Sequence, residues 1–151
     1  YVISNCSNNY GPNQYPEKLI PKVIKSIIKK ETIPVYGKGD NIRDWLYVED
    51  HAKAIDLIFH RGLMGETYNI GGDTEKTNLD LVRILCNEID FLTNNQNSST
   101  ELIKFVEDRK GHDFRYAINS DKIKKELGWE PDTPFMYGIR ETIDWYIKKI
   151  G

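Results

Sequence analysis

Apolar and polar positions alternate along this chain in a way that predicts strands and helices in turn. Val2 and Ile3 read as the end of a buried strand, followed by a polar loop containing Gly11, Pro12 and Pro16. Leu19, Ile20, Val23, Ile24, Ile27 and Ile28 then recur at helical spacing, with Pro21 placed where only a first turn tolerates it, and the helix ends near Lys30. Ile33 to Tyr36 predicts a short strand, Gly37-Lys38-Gly39-Asp40 a turn, and Arg43 to Tyr47 a second extended segment, together a hairpin-like wall. Val48 to Arg61 predicts a helix, with Glu49 and Asp50 at its dipole-favoured start and Gly62 just past its end. Thr67 to Ile70 reads as a strand entering the turn at Gly71-Gly72. Thr77 or Asn78 caps a helix carrying Leu79, Val82, Cys86 and Ile89 on one face. Thr93 to Thr100 is expected to be a solvated loop and Leu102 to Val106 a strand. A helix over Ser120 to Leu127 stops at Gly128, and Thr133 caps a last helix bearing Phe135, Ile139, Ile143, Tyr146 and Ile150. The pattern is α/β, with no internal repeat and no second core.

Composition adds bounds rather than direction. The chain has 151 residues, 39% hydrophobic and 29% charged, with a formal net charge of -2, as expected for a globular protein with one modest core. No run of Lys or Arg exceeds a pair, so there is no electrostatic footprint for nucleic acid or an anionic membrane. No apolar stretch approaches the roughly 20 residues of a membrane helix. Cys6 and Cys86 lie far apart without a zinc or redox motif, which favours reduced thiols and a cytoplasmic location. Tyr1 opens directly on a strand, with no Met and no leader, which predicts a piece of a longer chain.

Several chemistries are missing. Gly37 and Gly39 are followed by Ile42 where a third glycine would complete a G-x-G-x-x-G loop, and no Walker loop occurs. No tyrosine has a lysine four residues on, so a Tyr-x-x-x-Lys pair for hydride chemistry is absent. H-E-x-x-H, G-x-S-x-G and EF-hand spacings are absent too.

The polar residues that remain suit a phosphorylated sugar ligand. Asn5-Cys6-Ser7-Asn8-Asn9-Tyr10-Gly11-Pro12 places amides at the end of a strand, where α/β enzymes grip polar ligands. Such a strand normally completes a nucleotide-binding sheet whose other strands would lie upstream, so the chain reads as the second half of an enzyme. Arg43, in an otherwise apolar segment, is either a fork for a diphosphate or half of an ion pair with Asp44 or Glu49. Asp108-Arg109-Lys110-Gly111-His112-Asp113 is either a ligand-binding loop or a solvated charged one. Asn8 and Asn9 also suit Asx turns, and Asn78 suits a helix cap. His51 and His60 read as surface or helix-packing groups, and Trp45, Trp129 and Trp145 as core or docking residues.

Taken in order, the Asn5 to Pro12 run, Pro16-Glu17-Lys18-Leu19-Ile20-Pro21, Tyr36-Gly37-Lys38-Gly39-Asp40, the Ile42 to Ala52 run, Tyr68-Asn69-Ile70-Gly71-Gly72, Gly111-His112-Asp113 and Leu127-Gly128-Trp129 resemble the dTDP-glucose 4,6-dehydratases. These belong to the extended short-chain dehydrogenase/reductase group, in which epimerases share looser versions of the Arg43 to Asp50 run and of Leu127-Gly128-Trp129. The resemblance covers Val2 to about Ile147 and departs from the pattern at Lys110 and Phe114, where the family usually shows proline and arginine.

The resemblance implies a fold and an activity. The fold is the C-terminal part of a Rossmann-like extended short-chain dehydrogenase, terminal sheet strands plus a small α/β substrate-binding domain over residues 1–151, without the NAD-binding half. The activity, a lyase reaction, converts dTDP-glucose to its 4-keto-6-deoxy form with bound NAD and loss of water, a step toward rhamnose and other deoxysugars. UDP-glucose 4,6-dehydration, epimerisation and non-catalytic sugar-nucleotide binding remain as alternatives. The resemblance makes Asn9 a contact to NAD and Asn8 a substrate contact. It lines the sugar-diphosphate pocket with Lys18 and Leu19, sets Pro34, Val35 and Tyr36 beside the base, puts Arg43 on the diphosphate, and closes Asn78 with Arg109 and His112 over the nucleotide. It implies no catalytic residue and no metal in this chain, which should be inactive alone, and a homodimer formed through the absent half.

Overall fold

The computed structural model describes residues 1–150. Eight short strands and five helices follow one another as β1 (Ile3–Cys6), β2 (Asn8–Tyr10), α1 (Leu19–Lys29), β3 (Ile33–Tyr36), β4 (Ile42–Tyr47), α2 (Val48–Arg61), β5 (Thr67–Ile70), β6 (Glu75–Thr77), α3 (Asn78–Thr93), β7 (Ile103–Val106), β8 (Arg115–Tyr116), α4 (Asp121–Leu127) and α5 (Phe135–Ile150). Among the described residues no helix is long and apolar enough to cross a membrane.

β4 organises the chain. One edge pairs in parallel with β2 and, further back, with β8, while the other pairs antiparallel with β6. Parallel pairs β1–β5 and β3–β7 stand apart from this sheet. The hairpin expected between β3 and β4 does not form, because β3 takes β7 as its partner. The Gly37 to Asp40 turn instead docks on α3, whose Leu79 amide donates to the Gly39 carbonyl at 2.9 Å. A β-carbon added at Gly39 would lie 2.7 Å from Val35 and 2.9 Å from Leu79, so this docking needs a residue without a side chain.

β4 also explains why there are two cores where the sequence suggested one. Trp45 and Tyr47 face a cluster built with α1, α3 and α5, including Ile20, Ile24, Leu81, Leu85, Ile139 and Ile143. Leu46, on the opposite face, joins Ala54, Ile58, Tyr68, Ile70, Ile123 and Leu127. A strand covered on both sides loses the polar alternation that would announce two layers. β1, expected to be buried, runs on to Cys6 and leaves Ile3 46% exposed, with β5 its one partner strand among the described residues.

The stretch taken for a solvated loop is mostly built. α3 continues to Thr93, Asn94 takes the left-handed C-cap, and Ser99–Leu102 forms a 3-10 turn. Asp90 binds this return: its carboxylate accepts from the Ser99 amide, the Ser99 hydroxyl and the Asn95 side chain. Burial pushes the Asp90 carboxyl up, but the bonds from Ser99 and Asn95 outweigh it and hold the group below its usual range. Asp90→Ala is expected to cost about 1–3 kcal/mol in urea unfolding. A depressed folded-state pKa contributes stability above the unfolded value of about 3.9, so the deficit should be constant near neutrality and fade as pH falls through the lower folded value. A deficit that grows in acid would contradict this.

Thr133 does not serve the last helix as expected. Its amide and hydroxyl both donate to Asp50, at 2.9 and 3.0 Å, tying the segment before α5 to the first turn of α2. Asp50 is 1% exposed and also accepts from Lys53, so a buried carboxylate takes precedence over the cap. Thr77 is the cap of α3, its hydroxyl accepting from the Asp80 amide, which leaves Asn78 as the first helical residue.

Candidate functional site

Strand register sorts the predicted residues onto faces. Asn8 pairs with Trp45, so it shares a face with Trp45 and, two residues back along β4, with Arg43. Lys76 and Tyr116 pair with Arg43 from either edge and join that face. Asn9 pairs with Leu46 and lies on the other side, where its amide donates to Cys6 Sγ at 3.2 Å and the Ser7 carbonyl at 3.1 Å. The two asparagines thus address different spaces. Asn9 Oδ1 is buried without a partner, an acceptor left unspent.

Arg43 makes no ion pair among the described residues. Its guanidinium donates to the Ile42 carbonyl at 2.7 Å and the Asp113 carbonyl at 2.9 Å. Asp44, on the opposite face of β4 and 2% exposed, accepts from the amides of Gly72 and Thr74, both at 2.9 Å, and Glu49 stays exposed at the start of α2. The ion-pair reading is therefore overturned by the alternation of the strand. Two neutral carbonyls fix the guanidinium without neutralising it, and a half-buried cation held this way keeps its charge available to an anion.

β3 and β7 bring a second group to the same region. Tyr36 lies opposite Val106, and the Gly37 amide donates to the Val106 carbonyl at 2.9 Å. The chain leaving β7 arches back to β4, where the Ile42 amide donates to the Phe114 carbonyl at 2.7 Å and the Asn41 side chain to the Asp113 carbonyl at 3.2 Å. Within this arch the Arg109 guanidinium sits 4.3 Å from the Tyr36 ring centroid, a cation–π stack. His112 Nδ1 lies 2.7 Å from Asp108 Oδ1, which also accepts the Arg109 amide at 2.8 Å. The bond from His112, then that from Arg109, hold the Asp108 carboxyl below its usual range. The Asn78 amide donates to the Asn41 carbonyl at 2.9 Å, so the start of α3 abuts the same turn, and its side chain is half-buried with no protein partner among the described residues.

Tyr36, Arg43, Asn78, Arg109 and His112 are thus gathered around the β3–β4 turn and the arch, with Asn8 further along Arg43's face. Lys18 stands exposed at the start of α1, and Leu19 packs half-buried against the first core. Of the residues expected beside the base, Pro34 and Tyr36 are half-buried, while Val35 is 3% exposed and belongs to the core, so only its backbone is available. The sequence placed Asp108 and Asp113 in a candidate loop without showing that Asp108 would hold His112 and the Asp113 carbonyl Arg43, and it did not point to Asn41, which donates to that same carbonyl; no spacing rule reveals a carbonyl delivered from 70 residues away.

A cavity of about 350 Å³ lies elsewhere, lined by Asp44, Asp73, Glu75, Asn119, Asp121 and an Arg115 that is forked onto Glu75 at 2.6 and 2.7 Å. Its carboxylates make it hostile to a diphosphate.

Known proteins resemble this chain in sequence and in fold. A dTDP-glucose 4,6-dehydratase of Escherichia coli is 54% identical over 146 residues, 97% of this chain and 40% of that relative, and one from Neisseria gonorrhoeae is 49% identical over 150 residues. The chain therefore spans about two fifths of the length of the curated relatives it matches. Among solved structures, the dTDP-glucose 4,6-dehydratase of Streptomyces venezuelae with NAD and TYD bound superposes with a TM-score of 0.91 at 40% identity, covering 97% of this chain and 44% of that one. A UDP-glucose 4-epimerase from Thermotoga maritima shares the fold with a TM-score of 0.86 at 25% identity, covering 100% of this chain and 47% of that one. Residues 1–142 match the family model described as GDP-mannose 4,6 dehydratase, and the chain belongs to that family.

Proposed function

We propose that this chain is the sugar-nucleotide-binding, C-terminal part of an NAD-dependent dTDP-glucose 4,6-dehydratase. The observation that carries the reading is Arg43, an unneutralised guanidinium held by two backbone carbonyls beside the Tyr36–Arg109 stack. A diphosphate supplies the missing anion and a nucleobase the missing aromatic partner. In this reading Arg43 binds the diphosphate, Asn8, Lys18 and Leu19 line the sugar-diphosphate side, and Pro34, Tyr36 and the Val35 backbone flank the base. Asn78, Arg109 and His112 cover the nucleotide.

The unspent acceptor of Asn9 suits the carboxamide N–H of a nicotinamide, and it lies on the face of β2 away from Asn8, as a residue serving the cofactor rather than the base would. NAD, when bound, would supply the hydride acceptor and donor for oxidation at C4 and reduction at C6 of the sugar, with Asn9 holding its carboxamide end. The net change is loss of one water to give the 4-keto-6-deoxy sugar. This sequence has neither a glycine-rich dinucleotide loop nor a Tyr-x-x-x-Lys pair, so the hydride and proton steps fall to residues outside it.

The test is turnover. An intact protein containing this chain should release 4-keto-6-deoxy product from dTDP-glucose in preference to UDP-glucose, and the 151-residue chain alone should release none. Preference for UDP-glucose would shift the base assignment, and interconversion of sugar epimers without loss of water would replace the dehydratase reading with an epimerase one.

A further inference from the structure

We propose that Asp108 is a positioning residue that fixes the tautomer of His112, so that the neutral ring offers Nε2 as an acceptor to the nucleoside part of the ligand. The proposal rests on the sugar-nucleotide reading of this site. The arch between Val106 and Phe114 is pinned at its two ends by the backbone bonds to Gly37 and Ile42. Between those ends, one carboxylate does the organising. Asp108 Oδ1 receives the Arg109 amide and stands 2.7 Å from His112 Nδ1, while the His112 amide closes a turn onto the Arg109 carbonyl at 3.2 Å. Asp108 is itself seated against the β3–β4 turn, for a β-carbon at Gly37 would lie 3.0 Å from Asp108 Oδ2.

A carboxylate can only accept, so the ring nitrogen facing it carries the proton. In a neutral imidazole the other nitrogen is then an acceptor, and His112 Nε2 has no protein partner among the described residues. The His112 side chain is 13% exposed, so the ring is largely enclosed with one nitrogen committed. An Nε2 acceptor repels a phosphate oxygen and binds an N–H or O–H donor. In a thymidine diphosphate those donors are the imide N–H of the base and the sugar hydroxyl. The phosphates are left to Arg43, and His112 reads the nucleoside.

The test uses the intact protein, dTDP as the probe, and the variants Asp108→Ala, Asp108→Asn, His112→Ala and the Asp108→Ala/His112→Ala pair. At about pH 8, where an ordinary histidine is neutral, the ¹⁵N spectrum of the ring, assigned by its loss in His112→Ala, should show the Nδ1–H form in the wild type. It should show the commoner Nε2–H form in Asp108→Ala. The dissociation constant for dTDP should rise about tenfold in either alanine variant and no further in the pair. Asp108→Asn, which keeps an acceptor oxygen, should stay near wild type. An Nε2–H ring in the wild type, unchanged affinity in Asp108→Ala, or additive losses in the pair would overturn the proposal. No dTDP binding by the wild type would instead overturn the nucleotide reading and the ligand role of His112. The ring spectrum would then decide separately whether Asp108 sets the tautomer.

Discussion

Arg43→Ala in the intact protein is expected to weaken dTDP-glucose binding about 10- to 150-fold while leaving the fold nearly unchanged. Hydrogen bonds to a charged group contribute about 1.5–3 kcal/mol, and a fork onto a diphosphate makes more than one of them. The folded protein loses little, because the guanidinium is half-exposed and its bonds go to two carbonyls that water can serve in its absence. Arg43→Lys should recover only part of the affinity, since a point charge cannot hold both oxygens at fixed geometry. Calorimetric titration measures the affinity and thermal unfolding the stability. A large loss of stability with unchanged affinity would make Arg43 a structural residue.

The largest expected effect on stability lies at Gly72. A β-carbon there would come within 1.9 Å of the Trp45 carbonyl oxygen, 2.4 Å of its carbon and 2.8 Å of the Leu46 amide nitrogen. All three are backbone atoms in the middle of β4, so no side chain can swing aside. Gly72→Ala must lift the turn off the strand, which breaks the Gly72 and Thr74 bonds to buried Asp44 and the Trp45 amide bond to the Thr74 carbonyl. A loss of about 3 kcal/mol or more follows from overpacking plus an uncompensated buried carboxylate. Gly65→Ala is the contrast: nothing lies within 4 Å and φ is +86°, so only backbone strain of about 1–2 kcal/mol applies. Urea unfolding followed by tryptophan fluorescence separates the two, and equal losses would contradict the packing argument.

Much of this was legible in the chain, and the parts that were not share a cause. Helical spacing placed α1, α2, α4 and α5 to within a residue or two, because an amphipathic helix advertises its buried face locally. Strand partners are not local. Nothing in Ile33 to Tyr47 says that β3 will pair with a strand 70 residues on while β4 pairs with two- and three-residue strands from both directions of the chain. Thr133 was misplaced for a similar reason, its hydroxyl being drawn to Asp50, 83 residues away. At the site, the residue types in the β3–β4 segment and the 108–113 cluster pointed to an anion and a ring. Which of Asp44, Glu49 or Asp113 would meet Arg43 depended on the alternation of β4 and the return of β8, and only the assembled strands decide it.

The measurement that bears most directly on the sugar-nucleotide reading is a calorimetric titration of this chain with dTDP-glucose, UDP-glucose and NAD, each separately at matched salt. Saturable binding of dTDP-glucose, tighter than that of UDP-glucose and lost in Arg43→Ala, is the predicted result, with NAD giving no heat because its glycine-rich loop is not in this sequence. Binding of neither sugar nucleotide, or binding that survives Arg43→Ala undiminished, would contradict the assignment of this surface to the diphosphate.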